Sequence, residues 1–68
     1  MKYEISFSND PGYKTTIRAC NPKQAIVYFF RNREYWLPYA TFTRISGELW
    51  TASYLGTLIT AQKVHDSF

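Results

Sequence analysis

Residues Lys2 to Ser8 alternate without a break, with Tyr3, Ile5 and Phe7 on one side and Lys2, Glu4, Ser6 and Ser8 on the other. A period of two with one apolar side is the mark of a half-buried strand. In the next segment, Asn9-Asp10-Pro11-Gly12, Pro11 presets the first central dihedral of a turn and Gly12 tolerates the positive φ that the second can require. The chain returns through Tyr13 to Cys20, with Tyr13, Thr15, Ile17 and Ala19 facing one way and Lys14, Thr16, Arg18 and Cys20 the other. The pattern predicts an antiparallel hairpin whose basic residues share the polar face.

At Asn21 the period changes from two to about 3.6. Asn21 can accept a hydrogen bond from an early helical amide, Pro22 suits the first helical position, and Gln24 stands where a capping box places its reciprocal partner. Ala25, Ile26, Phe29 and Phe30 form an apolar stripe, with Lys23, Asn32 and Glu34 off it, while Arg31 and Arg33 suit the negative end of the macrodipole. A helix from about Pro22 to Glu34, ending near Glu34 or Tyr35, is expected. Pro38 forbids a regular continuation, which leaves Tyr35-Trp36-Leu37-Pro38-Tyr39 as an aromatic connector.

Ala40 to Ser46 and Glu48 to Leu55, rich in Thr and aromatic residues and broken at Ser46-Gly47, read as a second hairpin. Its facing is open. Ala40, Phe42, Arg44, Trp50, Ala52 and Tyr54 share one side and Thr41, Thr43, Ile45, Leu49, Thr51 and Ser53 the other, so neither is plainly polar. Gly56 breaks the pattern, and Thr57 to Val64 is expected as a third strand of the meander, with a short helix as the alternative. His65 to Phe68 is expected to fray. The sum is a single α+β domain over residues 1–68, an antiparallel sheet with element order strand-strand-helix-strand-strand(-strand) and the helix on one sheet face.

A chain of 68 residues buries only about 60% of the surface its unfolded form exposes, so each large apolar residue counts. Cys20 is the only cysteine. No internal disulfide can form, and a reducing, cytoplasmic setting is expected. Lys2 and Glu4 interrupt the first residues and the longest wholly apolar run is Ala25 to Phe30, so neither an export signal nor a membrane span is expected. A net charge of +3 and a pI near 9.2 would assist binding to nucleic acid, anionic lipid or an acidic protein, and equally serve solubility alone.

Catalytic chemistry has few candidates. His65 is the sole histidine, and its neighbour Asp66 would point the opposite way in an extended chain. Cys20 precedes the helix cap, where the helix dipole can favour a thiolate; the competing reading is a small residue at a strand end. One Cys and one His make no zinc pattern, the carboxylates Glu4, Asp10, Glu34, Glu48 and Asp66 are scattered, and no glycine-rich phosphate loop is present. No enzymatic activity, metal or cofactor is expected.

A binding surface is the stronger candidate. With Ile5, Phe7, Ile17, Phe29, Phe30, Phe42 and Trp50 as the core, some of Tyr13, Tyr28, Tyr35, Trp36, Tyr39 and Tyr54 must stand at its rim or outside it. Arg31, Arg33, Tyr35, Trp36 and Tyr39 combine guanidinium groups, aromatic planes and a stiff proline segment, the ingredients of an interface anchor. Lys2, Lys14 and Arg18 form a second, purely basic stripe. The expected function is a small binding module docking on a macromolecule, with a protein partner or a homodimer ahead of nucleic acid because no helix-turn-helix, zinc finger or RNA-recognition strand motif is present. A cysteine-dependent enzyme is a remote third reading, and no membrane partner is expected. The size and the Tyr- and Thr-rich, strand-heavy composition resemble the small proteins of phages and mobile elements, although no motif carries the likeness.

Overall fold

A computed structural model describes residues 1–64. The chain runs β1 (Lys2–Phe7), β2 (Asp10–Arg18), α1 (Pro22–Asn32), a 3-10 turn (Leu37–Tyr39), β3 (Ala40–Ser46), β4 (Leu49–Tyr54) and β5 (Thr57–Val64). The expected α+β class and element order hold, and the last segment is a strand. The five strands form one sheet in the order β2-β1-β5-β4-β3, antiparallel throughout. The last strand therefore occupies the middle. Its Ile59 lies between Phe7 and Ala52, and its Ala61 between Ile5 and Trp50. Because α1 connects the two edge strands, it has to cross one face of the whole sheet.

The helix begins as the capping residues dictate. Gln24 donates its N–H to the Asn21 side chain at 2.8 Å, while its own Oε1 accepts from the Cys20 amide at 2.8 Å, one residue before the cap itself. The helix ends at Asn32, two residues short of the expected Glu34. Arg33 caps it, Glu34 turns left-handed at φ 58°, Glu34 donates to the Arg31 carbonyl at 3.2 Å and Tyr35 to that of Phe30 at 2.9 Å. This double bond pattern is the Schellman reversal, completed by the Tyr35 ring against Phe30 at 5.3 Å between centroids. Packing of Tyr35 thus decides the terminus, and it forces Glu34 into a slot that favours glycine.

The first turn also departs from expectation. Ser8 and Asn9 make it, and Asp10 already pairs with Phe7. Ser6 faces Lys14, so the register shifts and Pro11, Gly12 and Tyr13 bulge from edge strand β2. Proline has no N–H for the ladder and belongs at an edge or a bulge. Ser8 is held in place from β5: it donates to the Leu58 carbonyl at 2.9 Å, and its hydroxyl accepts the Leu58 amide at 3.0 Å.

The fully enclosed core is Tyr3, Ile5, Ala25, Ile26, Phe29, Phe30, Ala52, Ile59 and Ala61. Phe7, Ile17, Phe42 and Trp50, expected inside it, are only partly buried and pack around it. Tyr3 takes an inner place because its hydroxyl finds a partner, donating to the Met1 sulfur at 3.5 Å. On the second hairpin, Ala40, Phe42, Trp50, Ala52 and Tyr54 turn toward the helix. Thr41, Thr43, Leu49, Thr51 and Ser53 therefore lie on the helix-free face, where strand register aligns Lys14, Ser6, Thr60, Thr51 and Thr43 in a row across all five strands. The expected fraying of His65 to Phe68 concerns residues outside those described.

Two substitutions check this account. Phe30→Ala should cost roughly 3–5 kcal/mol, enough to abolish the cooperative unfolding transition in urea. Glu34→Gly should raise stability by about 0.5–1 kcal/mol, because a left-handed residue loses its steric penalty while paying some chain entropy; an unchanged or lower urea midpoint would contradict the helix ending described here.

Candidate functional site

The helix reversal, the β1–β2 turn and the β4–β5 turn meet at one end of the sheet. Tyr35, delivered there by the reversal, stacks flat on Tyr54 with centroids 4.9 Å apart and planes 8° from parallel. The Tyr54 hydroxyl accepts the Trp36 amide at 3.0 Å, and Tyr39 donates to the Trp36 carbonyl at 3.0 Å, closing the turn around Pro38. Trp36 and Tyr39 are thereby fixed in backbone while their side chains stand 60% and 65% exposed, 6.4 Å apart.

Against the stacked Tyr35 and Tyr54 lies a cleft of about 280 Å³. Phe7, Ile59, Tyr35, Tyr54 and Leu55 supply its apolar walls, and Asn9 and Thr57 its polar part, with Asn9 donating to the Thr57 hydroxyl at 3.2 Å. Among the described residues that line it, none carries a carboxylate, amine, guanidinium, imidazole or thiol. Leu55 and Gly56 form the β4–β5 turn, both at positive φ, 50° and 82°. Two consecutive left-handed residues are the geometry of the hairpin turn that Asn-Gly fills best. Leu55 is nevertheless leucine, and 76% exposed. A strained backbone carrying an exposed apolar side chain at a cleft is an observation that points toward function.

Three of the residues singled out by sequence, Tyr35, Trp36 and Tyr39, come together here through Tyr54. Tyr35 is half-buried and braces the others. Arg33 turns away: its guanidinium lies 5.1 Å from the ring centres of both Tyr13 and Phe29 and donates to the Tyr13 hydroxyl, clasping the helix end to β2. Arg31 stands exposed in the last helical turn. Lys2, Lys14 and Arg18 do share the helix-free face, with Lys2 directly across from Arg18 and Lys14 3.9 Å from Glu4. Sequence reasoning missed Asn9, Tyr54, Leu55 and Thr57 as a group. The one signal available was a leucine immediately before Gly56 in a tight hairpin, where a large apolar side chain is unfavourable.

Cys20 is exposed, and its amide is taken by Gln24. Among the described residues, no group of three or more His, Cys, Asp or Glu could hold a metal ion, and no helix is long and apolar enough to cross a membrane. The chain matches no family model, no curated protein and no solved structure.

Tyr54→Phe would keep the ring stack with Tyr35 but remove the acceptor for the Trp36 amide. Loss of a partly solvated hydrogen bond of this kind should cost about 0.5–1 kcal/mol, together with faster exchange of the Trp36 amide proton. Unaltered exchange there would show that the Tyr54 hydroxyl does not hold the segment.

Proposed function

We propose that the chain is a non-enzymatic docking module that takes a protein partner at this aromatic end. The observation that carries the reading is the exposure of Trp36, Tyr39 and Leu55, at 60%, 65% and 76%, on a backbone fixed by the helix reversal, Pro38 and the β4–β5 turn. Large side chains presented on a rigid frame lose little conformational freedom on binding, the property that makes aromatic residues dominate interface energetics. The adjacent uncharged cleft suits an apolar side chain of the partner.

Two features favour a protein over nucleic acid. Stacking on unpaired bases is effective when cations track the backbone beside the rings, yet Arg33 is committed to Tyr13 and Phe29, and Lys14 lies near Glu4 on the helix-free face. The exposed free thiol of Cys20 supports a reducing, cytoplasmic setting.

A photoreactive benzoylphenylalanine in place of Trp36, activated in the host cell, tests the proposal. A discrete adduct with a second polypeptide is expected. Leu55→Asn should cut its yield at least several-fold while making the isolated protein more stable by about 0.5–1 kcal/mol, since asparagine tolerates the left-handed turn. Opposite movement of binding and stability would set docking apart from mere folding. An adduct with nucleic acid, or a yield indifferent to Leu55→Asn, would overturn it.

A further inference from the structure

The two edges of the sheet are unlike. On β2, Pro11, a bulge, Lys14 and Arg18 stand along the strand, the devices by which proteins keep an edge from pairing with another chain. On β3, Ala40–Ser46 contains no proline, lysine or carboxylate, Arg44 is its only charge, and its one register shift lies near its end, between Arg44 and Ser46. Its outer positions are open, with Ile45 57% exposed. Every second residue of an edge strand leaves its N–H and C=O unpaired, and only another extended strand satisfies them in series.

We propose that β3 pairs antiparallel with β3 of a second copy of this chain about a two-fold axis, joining two five-stranded sheets into one. The strand is self-complementary in one register. Centred on Thr43, which meets its own copy, Phe42 meets Arg44, a ring opposite a guanidinium, and these central pairs fall within Ala40 to Arg44, where the register of the strand is regular. Centred on Arg44, the same pairing would bring two guanidinium groups together, and centred on Phe42 it would set Arg44 against Ala40 and lose the pairing of ring with guanidinium. Pairing of β3 with β2 of another copy would meet Pro11 and the longer bulge of β2 and leave an open chain of molecules, whereas the two-fold arrangement closes. Electrostatics permits it: Lys14 and Arg18 stand on the opposite edge, four strand spacings or roughly 19 Å from β3, beyond the ~8 Å screening length of physiological salt. The inference rests on the sheet edge and not on the aromatic end, so either can fail alone.

Sedimentation equilibrium from micromolar to submillimolar protein tests it, with twice the 8.0 kDa chain mass expected at the upper end. Thr43→Lys places two ammonium groups across the axis at a position exposed in the single chain, and it should weaken association about tenfold or more with an unchanged circular dichroism spectrum. Thr16→Lys on β2 and Trp36→Ala should leave the doubled mass intact. Hydrogen exchange on the unmodified chain gives a readout that survives any folding defect of the variants: amides of β3 should gain protection as concentration rises. A single-chain mass throughout, a doubled mass indifferent to Thr43→Lys, or concentration-dependent protection appearing on β2 in place of β3 would each overturn the proposal.

Discussion

One helix has to shield the whole inner face of the sheet, and it is too small for the task. Eleven residues span about 16 Å, while five strands spread over roughly 19 Å from first to last. Directly beneath the helix the problem is solved by close approach: Ala25, Ala52 and Ala61 are fully buried and leave room for Ile26, Phe29 and Phe30 to reach the strands. Beyond its footprint, rings extend the cover. Phe7 and Tyr13 pack 5.2 Å apart at the β2 side, and Lys23 lies over Phe42 and Trp50 at 5.7 Å from each ring centre.

The same shortage of cover explains why the aromatic end looks as it does. Phe30 is fully buried and meets Tyr35, Phe42 and Tyr54. Drawing Tyr35 onto Phe30 requires the chain to reverse at Glu34, and the reversal throws Trp36 outward on its next residue. Tyr54 then serves both layers, with its ring stacked under Tyr35 and its hydroxyl holding the Trp36 backbone. Burial on one side and display on the other are produced by one linkage. In the reading proposed above, the display is what a partner protein contacts, while the more lightly guarded β3 edge that follows directly after Tyr39 offers a second copy its own place.

The helix-free face belongs to neither surface. Its hydroxyl row, from Ser6 through Thr60 and Thr51 to Thr43, is made of side chains that pair across strands and still hydrogen-bond to water. A sheet face of this composition needs no apolar cover, which is why no second helix is required on that side.

Local chemistry in the sequence was enough to set the two hairpins, the helix start and the strand-helix order. Alternation at Lys2 to Ser8, the Asn21-Pro22 cap and the stripe of Ala25, Ile26, Phe29 and Phe30 each act within one element, and nothing distant has to be known for them to work. That some of Tyr13, Tyr28, Tyr35, Trp36, Tyr39 and Tyr54 stand at the rim or outside was likewise legible, because the chain carries more aromatics than a small core can enclose; that Trp36 and Tyr39 are the most exposed of them was decided by the fold. Contacts between distant segments decided everything else. Seating β5 between β1 and β4 determined which side of the second hairpin was buried. The ladder from Ser8 to Leu58 moved the first turn to Ser8-Asn9, and Tyr35 packing on Phe30 ended the helix at Asn32. The cleft that unites Asn9, Leu55 and Thr57 with Tyr35 could not be read from spacing, since its walls come from segments far apart in the chain that meet only when the sheet closes beneath the helix.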